Sequence, residues 1–175
     1  MYNILLAGFG GQGVLFAGKQ IALTGMKANK EVSWLPSYGP EMRGGTANCS
    51  VIVSDEPIGS PLVTTPDVLI CLNLPSYYKF ESALQKNGIL ICDSSLITER
   101  SARSDIKAYY IPATELADKE NLKGMANVII LGHLLKVTGI FDYDFFLESM
   151  IGSIPESKKH LAEANKKALD IGYNY

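Results

Sequence analysis

Two stretches of this sequence combine residue types and spacings that could hold a ligand. The first, Gly8-Phe9-Gly10-Gly11-Gln12-Gly13, has the G-x-G-x-x-G spacing and lies between an apolar run and a segment rich in Ala, Leu and Ile. Glycines there permit a tight turn and a close approach of ligand to backbone. A helix starting on the last of them offers free N–H groups and a positive dipole end to an anion. The second stretch, Ser37-Tyr38-Gly39-Pro40-Glu41-Met42-Arg43-Gly44-Gly45, sets an aromatic, an acid and a guanidinium among backbone-permissive residues. Arg43 could clamp a carboxylate or phosphate with two parallel hydrogen bonds, and Glu41 could accept a proton or pair with Arg43.

Each stretch has a plainer reading. A dinucleotide site needs an acidic side chain about 20 positions after its glycines, at the end of the second strand, to hold a ribose hydroxyl. Glu31 lies at that distance but begins its predicted strand, which ends in Trp34, Leu35 and Pro36. The glycine turn is therefore a nucleotide loop, a turn that only packs helix on strand, or a rim where another molecule comes close. Glu41 and Arg43 could equally be a surface ion pair of little energetic weight.

Other candidates are weaker. His133 falls in a run that is apolar on nearly every side and His160 near the start of the last helix, neither with Ser, Cys or Asp at a telling spacing. Both read as structural or solvated. Asp93-Ser94-Ser95 follows a predicted strand and suits helix capping better than chemistry. The pairs Lys158–Lys159 and Lys166–Lys167 read as a solvated face. Cys49, Cys71 and Cys92 sit in apolar runs with no C-x-x-C spacing. They read as small buried residues, so neither a cysteine-held iron–sulfur cluster nor a metal site is expected on this chain. The lack of a disulfide framework fits a reducing cytoplasm.

The elements that would position these residues alternate. Short apolar runs over 3–7, 31–35, 67–72 and 88–92, and a weaker one over 106–111, predict strands, several of them buried on both faces. Thr46 to Val53 alternates, with Ala47, Cys49, Val51 and Val53 on one face, which predicts a half-buried strand, antiparallel or near an edge. Helices are predicted over 14–26, 75–84, 113–121, 125–137, 142–151 and 158–171, and loops over 8–13, 36–45 and 57–66. Strands alternating with helices predict an α/β, Rossmann-like three-layer domain spanning 1–175. Its sheet should be mostly parallel, with an additional antiparallel or edge strand. If strands 4–7 and 32–35 are parallel neighbours, both candidate stretches leave carboxyl ends of the sheet, where open α/β sheets bind ligands, and meet on one rim.

Composition narrows the classes. The 175 residues are 47% hydrophobic and 19% charged, with a formal net charge of -2, which suits a folded domain and argues against a nucleic-acid binder. No apolar run is long enough to span a membrane. Ile4 to Gly18 lacks basic residues before it and a cleavage-type site after it, so it reads as strand, loop and helix start, not a targeting signal.

The order of these motifs resembles the gamma subunit of 2-oxoacid:ferredoxin oxidoreductases over nearly the whole chain. The matching residues are Gly8, Gly10, Gly11, Gln12 and Gly13, then Tyr38, Gly39, Pro40, Glu41, Arg43, Gly44 and Gly45. Ile58, Ser60, Pro61, Pro66 and Asp67 follow, and Asn127 and Gly132 late in the chain. The resemblance implies a hetero-oligomer that converts a 2-oxoacid, coenzyme A and oxidised ferredoxin to acyl-CoA, CO2 and reduced ferredoxin. It implies no cofactor on this chain: thiamine diphosphate and [4Fe-4S] clusters belong to alpha and beta subunits and a ferredoxin-like delta subunit or domain, with ferredoxin met only through them. It implies that this chain alone carries no catalytic residue and that its rim (Gly10, Gly11, Gln12, Gly13, Tyr38, Glu41, Arg43, Gly44, Gly45) faces partners or coenzyme A. An isolated chain is expected to be inactive and able to self-associate through that face. The wording of the second stretch favours 2-oxoglutarate or branched-chain substrates. A free-standing nucleotide-binding enzyme, an indolepyruvate-type subunit and an interaction module with a decayed site stay open.

Overall fold

The computed structural model describes residues 1–38 and 46–175, with Tyr38 described through its backbone only. One sheet runs through it: β1 (Tyr2–Phe9), β2 (Glu31–Tyr38), β3 (Thr46–Ser54), β4 (Val68–Cys71), β5 (Ile89–Asp93) and β6 (Lys107–Ile111). The strand order is β2-β3-β1-β4-β5-β6. β4, β5 and β6 extend β1 in parallel, whereas β3 is antiparallel to both β1 and β2. The mostly parallel α/β sheet expected from the sequence is present.

Two details of β2 differ from the sequence reading. β1 and β2 are not neighbours, because β3 lies between them. Two antiparallel pairings in succession still leave them pointing the same way, and Phe9 and Tyr38 pair with the adjacent residues Thr46 and Ala47. Both candidate stretches therefore do leave the same edge of the sheet. β2 also runs on through Pro36 to Tyr38 instead of ending at Leu35. It is the edge strand, paired on one side only, and an edge tolerates a residue without an N–H.

β3 is buried on both faces, not one. Cys49, Val51 and Val53 belong to the main core, and Ser50, Ile52 and Ser54 on the other face are buried as well. The connector after β3 covers them: Val63 N donates to Ser50 Oγ at 3.4 Å and Glu56 N to Ser54 Oγ at 3.0 Å. The Ser50 hydroxyl, on the polar face of the predicted strand, is thus satisfied inside.

Helices α1 (Val14–Lys27), α3 (Ala113–Lys119), α4 (Ala126–Thr138), α5 (Tyr143–Gly152) and α6 (Ala162–Tyr173) build the larger core, on the sheet face that presents Ile4, Leu6, Val51 and Ile70. α2 (Leu74–Phe80) contributes Tyr77 to a smaller cluster on the opposite face, with Leu5, Leu69, Cys71, Leu90 and Cys92. The all-round apolar pattern of α4 has a simple cause: residues Asn127 through Leu135 are all buried. α6 crosses α4 at glycines, and a Cβ on Gly172 would lie 1.7 Å from the Ile129 carbonyl oxygen, one on Gly132 2.1 Å from that of Leu169. The last predicted helix starts later than expected, because Glu156–Leu161 forms a 3₁₀ turn with no buried residue to align.

Candidate functional site

β1 delivers the glycine-rich segment to the carboxyl edge of the sheet. Gln12 N donates to Phe9 O at 3.2 Å, closing a tight turn, and Gly11 (φ 100°) and Gly13 (φ 75°) take left-handed conformations. Gly13 caps α1 with no side chain on its first N–H groups. A Cβ on Gly13 would meet the Asn127 Nδ2 at 2.3 Å, so only glycine fits. Asn127, at the start of α4, donates from Nδ2 to Gly13 O at 3.2 Å and so holds the end of the loop.

Gln12 decides what the turn can hold. Its Oε1 accepts from Phe9 N at 2.6 Å and its Nε2 donates to Leu72 O at 2.8 Å. The side chain thus bridges from the β1 loop to the end of β4, across the crevice where strand order reverses. Asn73, which also reaches Gln12 Oε1 at 3.5 Å, caps α2 by accepting from Ser76 N. A dinucleotide would need that crevice for its pyrophosphate. Glu31, the acid at the expected distance, pairs with Ser54 at the opposite edge of the sheet. The nucleotide-loop reading therefore has neither the acid nor the open crevice.

Beyond the Gln12 bridge lies a cavity of about 240 Å³, lined by Gly11, Gln12, Leu72, Asp93, Thr114 and Ala126 among others. Asp93 is buried at the end of β5 and accepts from Ser95 N, Thr114 N and Thr114 Oγ1, at 2.6 Å for the last. Ser95 Oγ accepts from Glu115 N at 3.0 Å. Both side chains thus cap α3, the capping role expected of Asp93-Ser94-Ser95.

The second stretch is placed only in part. Tyr38 ends β2 on the same rim, while Glu41, Arg43, Gly44 and Gly45 lie outside the described residues. Gly10, Gly11, Gln12 and Gly13 sit together on the rim. The histidines stay apart from it. His133 packs edge-on between Tyr109 and Tyr175, with ring centroids at 5.6 and 5.9 Å. Burial holds its imidazole below the ordinary range, against an opposing pull from the Gly172 backbone. His160 is exposed on the 3₁₀ turn. All three cysteines are buried and free. Desolvation pushes Cys49 up to about 12, and Cys71 is held well above its usual range by its hydrogen bond with the Cys92 thiol and then by burial. Among the described residues no cluster of three His, Cys, Asp or Glu could hold a metal, and no helix is long and apolar enough to cross a membrane.

The family model for pyruvate ferredoxin/flavodoxin oxidoreductase matches residues 3–175. The chain belongs to that family. The family relatives include the 2-oxoglutarate synthase subunit KorC of Methanocaldococcus jannaschii, 36% identical over 98% of this chain and 91% of its own length. The ketoisovalerate oxidoreductase subunit VorA of Methanothermobacter thermautotrophicus is 38% identical over 97% of this chain but only 35% of its own, so there the same unit is part of a longer polypeptide. Among solved structures, the keto/oxoacid ferredoxin oxidoreductase gamma subunit of Geobacter sulfurreducens superposes with a TM-score of 0.86 at 28% identity, covering 99% of this chain and 94% of that one. The resemblance read from the paired motifs is met. Asn127 and Gly132, two of its late matches, now have physical roles: one holds the glycine loop, the other admits α6.

Proposed function

We propose that this chain is the gamma-type subunit of a multi-subunit 2-oxoacid:ferredoxin oxidoreductase, acting as one unit over residues 1–175. The observation that carries the reading is the match to a KorC subunit, which extends over 98% of this chain and 91% of that one. The complex would convert a 2-oxoacid and coenzyme A to an acyl-CoA and CO2, passing electrons to ferredoxin. 2-Oxoglutarate or a branched-chain 2-oxoacid is the favoured substrate, since KorC and VorA chains are among its relatives. Thiamine diphosphate and [4Fe-4S] clusters would sit on alpha, beta and ferredoxin-like delta partners in the cytoplasm. This chain's own part is a rim: Gly10, Gly11, Gln12 and Gly13, with Gly44 and Gly45, supply close backbone approach, and Tyr38, Glu41 and Arg43 supply side-chain chemistry from the neighbouring stretch. Nothing here is a catalytic residue by itself.

The test is co-expression with the thiamine- and cluster-bearing chains, followed by turnover with each 2-oxoacid. The wild-type chain should join the complex and be required for activity, and Arg43→Ala should lower turnover at least about tenfold, as loss of a bidentate charged contact does. Normal assembly and turnover of Arg43→Ala would mean that the rim is packing only. Micromolar binding of NAD, FAD or ATP to the isolated chain would favour a free-standing enzyme.

A further inference from the structure

A second cavity, of about 430 Å³, opens on the helical side of the molecule between α1, the start of α4 and the segment around Ser153 to Leu161. It is separate from the glycine turn, and nothing in the subunit reading uses it. Three carboxamides on its wall are more than nine-tenths buried: Gln20 at 3%, Asn127 at 5% and Asn165 at 8% exposure. Asn127 Nδ2 donates to Gly13 O at 3.2 Å and Asn165 Nδ2 to Leu161 O at 2.8 Å. Gln20 contacts Ser153 Oγ through one end of its amide at 3.1 Å. Asn127 Oδ1 is buried with no hydrogen-bond partner. A buried amide oxygen rarely stays unpaired, so the wall at Asn127 is completed by something that offers a donor. The remaining lining is apolar, with Phe16, Met125, Val128 and Leu161, and the exposed Lys19 and Lys158 stand at it with no acidic residue among the lining groups.

We infer that this cavity receives an extended segment of a partner subunit, one carrying Asp or Glu among apolar residues. A peptide backbone supplies N–H and C=O groups together, its apolar side chains suit the walls, and its carboxylate meets the lysines. The inference rests on the reading of the chain as a subunit. Asn127 would then touch the docked segment with one end of its amide and the glycine loop with the other.

The experiment compares the co-expressed complex carrying wild-type chain with one carrying Lys19→Glu and Lys158→Glu, and with a control carrying Lys86→Glu and Lys166→Glu, the same change of charge at exposed lysines elsewhere. Hydrogen exchange over 153–161 and 124–128 is read in the free and assembled chains. Expected are protection of both segments on assembly and at least about a tenfold weaker association for the cavity variant but not for the control. If the wild-type chain assembles and the cavity variant, still folded, assembles as well without loss of protection, the inference is overturned and the subunit reading stands. If the cavity variant instead abolishes self-association of the isolated chain and leaves partner binding intact, the occupant is a second copy and the inference is also overturned. Failure of the wild-type chain to assemble overturns both.

Discussion

Replacing Gly172 by alanine separates two physical arguments by sign. Gly172 lies inside α6. Helix propensity alone favours alanine there by up to about 1 kcal/mol. The tertiary structure says the reverse. The added Cβ would sit 1.7 Å from Ile129 O, 2.7 Å from Ile129 C and 3.0 Å from His133 N, all backbone atoms of α4. No side chain can turn away to make room, so α6 must move off α4, a crossing that belongs to the larger core. Overpacking of this kind costs about 3 kcal/mol or more at its upper range. After the propensity gain, a net loss of about 2 kcal/mol remains, or about 4–8 °C in melting temperature for a chain of this length. Gly152→Ala at the end of α5 is the control, since its Cβ would meet only the Lys27 Nζ at an ordinary 3.6 Å. It should be neutral or slightly stabilising. Urea and thermal unfolding of both variants read the difference. If Gly172→Ala is as stable as wild type, the close crossing of α4 and α6 is wrong.

Other consequences can be measured on the isolated chain. Gln12→Ala removes the bridge between the β1 and β4 loops and should cost about 1–2 kcal/mol in chemical denaturation, with faster hydrogen exchange at Phe9; unchanged exchange there would argue against the bridge. Burial lowers the proton affinity of His133 in the native state relative to the unfolded imidazole, whose ordinary value is 6.5, so its contribution to stability should be full above that value and fall as pH drops below it. That slope should vanish in His133→Asn, and its persistence would assign it elsewhere. Native protein at pH 8 should resist alkylation at all three thiols until it unfolds, because Cys49, Cys71 and Cys92 are buried and the first is pushed up to about 12. Rapid labelling of any of them would contradict the packing of β3, β4 and β5.

Much of the fold was legible because local pattern and tertiary demand coincide. Runs such as DVLIC and GILIC can hardly avoid a buried parallel strand, and the all-round apolar α4 must be covered on every side. The capping role of Asp93 and Ser95 follows from residue type at a strand-to-helix junction. The differences in the sheet share one cause, which is that a neighbour brought up by folding changed the meaning of a residue. Pro36 looks like a loop residue until β2 proves to be an edge. Ser50 looks solvent-facing until the following connector folds over it. The order of β1, β3 and β2 depends on pairings that no local signal specifies.

For the site, membership was legible before any fold: the two motifs, their spacing and the residue types that place the chain in its family. The sequence also weakened the dinucleotide reading, since the acidic residue at the expected distance stands at the wrong end of its strand. That Gln12 spans the crevice, that Asn127 locks Gly13, and that Gln20, Asn127 and Asn165 line one cavity with the Asn127 oxygen left without a partner emerges only in the folded chain. Motifs are contiguous, whereas hydrogen-bond partners are chosen in space. Gln12 meets Leu72 and Asn127 meets Gly13 only after the sheet and the helical layer have brought them together.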